Sequence, residues 1–564
     1  MLFASTRFDK KHEVNQRLED FMEEFARQYR DEIDIFKEAG NSFLKGEMKV
    51  PEFKGKSGGM GVYAQRGGKE FMIRLRMPSG YVSKVHLRRV LDYAKQYKLT
   101  GVHLTTRQTI QLHDLSLDAV CDIMKDAIDY GLFTRGGGGN FPRNVSLSPM
   151  SGVEQGEAFD VTPYAMQVGE IFIKQASSYH LPRKLKVAFS NSEKDTSNAT
   201  VNDLGFVAMI QDGKPYFRVY LAGGLGKNPE KSIEYPNLIP PSDAIYYVEA
   251  MLRTYVELGD YQNKAAARTR YIPKKIGEEA FLEAFDRQVE KAKERLDYEK
   301  LEPVLSEEES WSYEDNTNNR KAQKQQGLYT AIIHPTFGNL SVEALEQLVA
   351  CLEKISYESD SQSEEISPEN IIPKDYGQNQ SPQVRLSMEE EMYIRNLTLE
   401  QANEILEIAA GENLETNLSM GFSCVGVPTC QIGILESRAL LKGILKAVRI
   451  KGLDENLFPR IHISGCPNSC ARHQAAPLGF VGKKQFMNGK VNDVYEIYFG
   501  GKIGVGITKL GERIAALKKE DIPVAMVELG NMLSEKEQCF EKYAKEQTKE
   551  LLSLFQKYDV TDVK

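Results

Sequence analysis

The chain has 564 residues, 41% hydrophobic and 27% charged, the makeup of a folded globular protein of several domains rather than a fibrous or disordered one. Its 80 acidic against 72 basic residues leave a net charge of −8, which argues against coating nucleic acid through general positive charge. No stretch approaches the roughly 20 apolar residues of a membrane span. Charges between Arg7 and Lys11 interrupt the start before an export signal could form, so a reducing cytoplasm is expected, where seven cysteines need not pair.

In chain order, the first segment to about Met48 reads as an amphipathic helix, with Leu18, Phe21, Met22, Phe25 and Tyr29 spaced by three and four. It belongs to an arm over 1–65. A strand Phe71–Arg76, a turn at Pro78–Gly80, a helix near Leu87–Tyr97 and a strand around Val102–Leu112 then make a half-domain over 66–135. The glycine run Gly136–Gly139 marks a hinge or boundary, followed by a larger unit over 136–302. Residues 303–327 are rich in Glu, Asn and Lys and read as a solvated linker. A second half-domain over 328–412 carries a polar surface insertion, Tyr357–Gln383, and a last unit covers 413–564.

The chain also repeats itself. Pro182-Arg183-Lys184-Leu185-Lys186 lines up with Pro459-Arg460-Ile461-His462-Ile463, Leu204–Val207 with Leu478–Val481, and Val219–Gly226 with Ile497–Gly504. More weakly, Val102–Arg107 faces Val384–Glu389. Matches that keep their order over so long a stretch imply two related halves and a pseudo-twofold body.

Four of the cysteines come as two pairs, Cys424-x5-Cys430 and Gly465-Cys466-Pro467-Asn468-Ser469-Cys470. Five intervening residues are wide for a zinc knuckle. Between the pairs, Ile434, Leu441, Leu445 and Val448 form a helical stripe and Arg460–Ser464 alternates as a strand, so each pair ends a regular element. That placement suits an iron-sulfur cofactor between domains better than a zinc finger or inert thiols. Cys121, Cys351 and Cys539 fall on helical patterns and read as ordinary core or surface residues.

Here the sequence resembles the siroheme-dependent sulfite and nitrite reductases, from about Phe71 to the C-terminus. The resemblance implies an α+β fold, internally duplicated, with two ferredoxin-like half-domains and two α/β cofactor-binding domains related by pseudo-twofold symmetry. It implies a four-iron four-sulfur cluster on Cys424, Cys430, Cys466 and Cys470, the last shared with the iron of siroheme. Residues matching Arg74, Arg143, Lys184 and Lys186 surround the substrate oxygens, and those matching Thr106, Arg107, Gln108, Gln111, His113 and Asn468 contact the cofactor. From the residues themselves, Arg107, Thr109, Gln111 and His113 share one face of an alternating strand, and Lys184 and Lys186 another.

The implied activity is the six-electron reduction of sulfite to sulfide, with nitrite to ammonia as the alternative. Lys186 favours sulfite, because nitrite-reducing members tend to carry Asn there. No Gly-x-Gly-x-x-Gly follows a strand, so electrons are expected from a separate carrier, ferredoxin or a similar donor protein. The basic stretch Lys264, Arg268, Arg270, Lys274, Lys275 is read as a cofactor contact, a docking patch or a solvated helix face. One departure is the run Ser387–Tyr393, with three acids; Glu390 is expected to point inward, and the run is left out of the site. His103 is expected to be a satisfied core histidine.

Overall fold

The computed structural model describes residues 5–175, 180–305, 316–359 and 381–563. The expected insertion Tyr357–Gln383 falls almost wholly outside the described residues, as does the middle of the expected linker. Among these residues the architecture is α+β, built on four five-stranded sheets. No helix among the described residues is long and apolar enough to cross a membrane.

Two of the sheets form the half-domains, and each borrows a strand from the other half of the chain. Tyr81–Val82, from the first half, pairs with Val384 and Arg385; Asn339–Ser341, from the second, pairs with Gly101, Val102 and His103. Each borrowed strand follows a tight turn whose middle residue, Ser79 or Phe337, has positive φ. One continuous core results, in which Ile73, Leu75 and Leu112 pack with Ile333, Leu386 and Ile394.

The expected strand across Val102–Leu112 is instead a hairpin, Gly101–Leu104 and Thr109–Leu115. Thr105 N–H donates to Thr109 O at 3.0 Å, the two threonine hydroxyls meet at 2.6 Å, and Gln108 takes a left-handed conformation. Hydroxyl-to-backbone bonding of this kind offers the chain a turn in place of continued strand. The second copy repeats it, with Ser387 N–H donating to Glu391 O and Glu390 in the left-handed position.

The other two sheets carry the larger units. In each, two parallel pairings precede an antiparallel hairpin, Leu204–Gln211 with Lys214–Leu221 in one and Leu478–Met487 with Lys490–Phe499 in the other. Their register corrects the repeat. Val187 sits beside Leu204 as Ile461 sits beside Leu478, so Lys186 corresponds to Arg460, not to Ile463. The sequence match of the two Pro-Arg strings is out of step because nothing in short apolar strings penalises a slip in the preceding loop. Asn198 and Arg472, both left-handed, enter equivalent short turns, Ala199–Val201 and His473–Ala475. A Cβ at Gly205 or Gly479 would strike the first carbonyl of that turn, which is why glycine stands at both places.

The helix Ser5–Leu44 lays Tyr29, Ile33, Phe36 and Phe43 on the first half-domain, and Phe43 stacks on Phe53 with ring centroids 4.4 Å apart. Tyr29 is the only member of its predicted stripe within the described side chains. The strand Val62–Ala64, assigned above to the arm, is already paired with Phe71–Ile73.

One buried group away from the anion-binding region makes stability pH-dependent. His86 is 2% exposed, its Nε2 bonded to Tyr130 O at 2.8 Å; burial pushes it down to about 4, against a smaller upward pull from that bond. The unfolded chain then takes up a proton first as pH falls, so stability present above about 6.5 is lost on the way to about 4, roughly 3 kcal/mol from this residue. Urea unfolding at pH 7 and pH 4.5 should show His86→Gln losing less between the two pH values than the wild type; an equal loss would refute the assignment.

Candidate metal centre and anion site

Cys424 follows the strand Phe422–Ser423, Cys430 closes the next loop with its N–H on Gly426 O at 2.7 Å, and Cys466 and Cys470 follow the strand Ile461–Ser464. All four are free thiols. Gly465 N–H donates to Cys424 Sγ at 3.2 Å and Asn468 Nδ2 to Cys466 Sγ at 3.4 Å, contacts that favour thiolates. Burial, and then the charges of neighbouring thiols, push Cys424, Cys466 and Cys470 upward, with backbone N–H groups opposing at the first two and Lys184 at Cys470. Thiols raised by their neighbours' charge, as Cys424, Cys466 and Cys470 are, fit a polycationic core that would neutralise it. Four thiols brought to one end of this unit by two strands suit a cluster with one thiolate per iron.

Cys470 is the exposed member of the four, and the cations Arg74 and Lys184 lie close enough to interact with its charge. Arg74, on the strand Phe71–Arg76, stands opposite Gln111 and feels the charge of Cys470. With the Gln111 amide oxygen turned toward it, Arg74 donates from Nε at 3.0 Å and from Nη2 at 2.7 Å, while the Gln111 amide donates to His113 Nε2 at 3.1 Å. The glycine run, expected as a hinge or boundary, supplies a carbonyl cradle. Arg143 donates to Gly136 O at 3.1 Å, to Gly138 O, and to Gly139 O at 2.8 Å; Arg74 donates to Gly137 O.

Lys184 and Lys186 alternate to one side of Leu185, which is fully buried. Burial, then Arg268 and Arg143, pull Lys184 down to about 7; burial, then Lys184, Arg107 and Arg268, pull Lys186 well below the usual lysine range. Burial likewise lowers Arg143 and Arg107, each to about 9. So dense a set of cations in an acidic protein, with Asp203 the buried counter-charge beside Arg268, fits a polyanionic tetrapyrrole and an anionic substrate.

The remaining expected contacts divide. Arg107 reaches Asn144 O, Asn202 Oδ1 and Val187 O, and so ties the hairpin to the neighbouring unit. Thr106 is half-buried at the turn, and Asn468 is exposed beside the cysteines. Gln108, expected to touch the cofactor, is fully buried, its amide spent on Leu147 and Leu386 backbone groups at 2.6–2.8 Å. It braces the two half-domains. Of the basic stretch, Arg268 and Arg270 are buried while Lys264, Lys274 and Lys275 are exposed, so it is two surfaces rather than one.

The acids of Ser387–Tyr393 all have partners or neighbours of their own. Glu389 and Glu391 pair with Arg460, and Glu391 with His334 at 2.9 Å; Glu390 is pushed well up by burial and stands 3.6 Å from His103 Nε2. His103 is satisfied through Asn339 at 2.9 Å.

With this geometry in view, comparison with known proteins is informative. The family model described as "Nitrite/Sulfite reductase ferredoxin-like half domain" matches residues 63–130, and that described as "Nitrite and sulphite reductase 4Fe-4S domain" matches residues 138–293. The chain belongs to the siroheme-dependent nitrite and sulfite reductases. It is an oxidoreductase whose cofactors are siroheme and a 4Fe-4S cluster. The second match covers the first of the two large units, and the cysteines lie in its repeat. Among relatives, the ferredoxin–nitrite reductase of Synechococcus elongatus is 27% identical over 81% of this chain and 85% of its own length. The sulfite reductase [NADPH] hemoprotein beta-component of Staphylococcus haemolyticus is 24% identical over 80% and 78%. The solved structure of the Mycobacterium tuberculosis NirA protein superposes with a TM-score of 0.71 at 20% identity, covering 88% of this chain and 90% of that one, which establishes the shared fold.

Proposed function

We propose that this reductase converts sulfite to sulfide, with Cys424, Cys430, Cys466 and Cys470 holding the cluster, Cys470 shared with siroheme, and ferredoxin or a similar carrier supplying electrons. The observation that carries the reading is the convergence of Cys470 with Arg74 and Lys184 within range of one another's charge. When bound, the two cofactors supply six electrons singly. The chain's own residues do the rest. Arg74 and Arg143, fixed by the glycine carbonyls and Gln111, orient the anion's oxygens, which must leave as water after protonation. Lys184, brought down to about 7, can give up a proton near neutral pH and still carry charge for much of the time. Gln111, His113, Thr106, Arg107 and Asn468 line or brace the cofactor side.

Lys186 supports sulfite, since a second lysine beside Lys184, lowered only by burial and neighbouring cations, would take up a proton as a dianion binds and so compensate it. Lys186→Asn should lower kcat/KM for sulfite about tenfold relative to nitrite, near 1.4 kcal/mol of discrimination. Steady-state rates for both anions with a reduced artificial donor test this, and an unchanged ratio would refute the substrate assignment. A second reading, nitrite to ammonia with the same cofactors, is favoured by the Synechococcus and Arabidopsis thaliana relatives, both ferredoxin–nitrite reductases.

A further inference from the structure

We infer that Tyr63 is a proton donor to the bound anion, acting beside the two arginines that orient it. The inference rests on reading Arg74 and Arg143 as the anion site. Tyr63 lies mid-strand in Val62–Ala64, half-buried between two buried neighbours, so alternation turns its ring away from the core. Its Oη accepts the Gly139 N–H at 3.2 Å, and among the described residues its own O–H meets no acceptor. The Arg74 guanidinium lies 6.0 Å from the ring centroid. A Cβ at Gly138 would strike the phenol oxygen, so glycine there is what admits the hydroxyl to the cradle that holds Arg143.

The charged groups facing the phenol are Arg143 from the glycine run, Arg74 from the paired strand and Lys54 from the helix Val50–Ser57. Burial pushes the phenol up, but those three charges and the Gly139 N–H together outweigh it, and the net displacement is downward. A phenolate is therefore held better here than in water. In the step, the Tyr63 O–H bond breaks and an O–H bond forms on a substrate oxygen; the phenolate stays between Arg74 and Arg143 and takes a proton back from solvent. Tyr63 exchanges no electrons; those that cleave the substrate's bond to oxygen come from the carrier of the proposed reaction.

The test is Tyr63→Phe in the cofactor-loaded enzyme, against wild type. We expect unchanged iron content and anion affinity by spectral titration, KM within about threefold, and kcat lower by about a hundredfold. In wild type, kcat should fall at alkaline pH as the phenol ionises, and this limb should vanish in Tyr63→Phe. Incorporation of 3-fluorotyrosine at position 63, which makes the phenol more acidic and keeps its shape, should move the limb to lower pH, and serves if the phenylalanine variant folds poorly. An alkaline limb indifferent to fluorination, or a kcat within twofold in Tyr63→Phe, overturns the inference alone. A wild type that neither binds nor reduces either anion overturns the reading of the site, and this inference with it.

Discussion

Cys470→Ser should yield a protein that reduces neither sulfite nor nitrite and has lost most of its iron and acid-labile sulfide. A serine hydroxyl remains protonated where a thiol bound to metal does not, and oxygen is the harder ligand. The position compounds the effect, because Cys470 opens toward Lys184 and Arg74 while Cys466 on the same loop is buried. Losing it should therefore remove both the cluster's last ligand and its link to the anion site. Iron and sulfide analysis with visible absorption on anaerobically purified protein measures this. Full iron together with retained turnover would mean that Cys470 is not the shared ligand.

Asp203→Ala should cost about 3–5 kcal/mol of stability, the penalty for stranding a buried cation. Asp203 is fully buried and accepts from Arg268 Nη2 at 2.7 Å and Nε at 3.2 Å, from Thr269 Oγ1, and from the Lys186 N–H at 2.9 Å. Burial lowers Arg268, and Asp203 more than restores it, so without Asp203 the Arg268 charge would press on Lys184 and Lys186 unopposed. Activity should fall with stability. Urea denaturation of the two proteins side by side decides it; a loss below about 1 kcal/mol would show that these buried cations are held by something else.

What was legible in the sequence was chemistry spaced along regular elements. Each cysteine pair begins at the end of a strand, a regular element as the flanking patterns indicate, and Lys184 and Lys186 stand two apart around an apolar Leu185. The duplication was visible through the Leu-Gly-Phe-Val strings because their glycines answer to the same carbonyl contact in both copies. What escaped was decided by tertiary packing. The hairpin at Thr105–Gln108 reads as unbroken strand because the residues that turn it are threonines, which also suit strands. Tyr63 gave no signal, since a tyrosine in a three-residue strand is ordinary until Arg74 and Arg143 arrive from elsewhere. The basic stretch could not be divided by composition, because Asp203, which buries Arg268, lies far off in the chain.

The reciprocal loan of Tyr81–Val82 and Asn339–Ser341 bears on how such a molecule can change. Because each copy completes the other's sheet, neither can drift as an independent gene product would; a substitution at Val82 is judged against Val384, and one at Leu340 against Val102. The ancestral twin units are thus handcuffed. The restraint does not extend to the two large units, where the first carries Lys184 and Lys186 and the second carries Cys424, Cys430, Cys466 and Cys470.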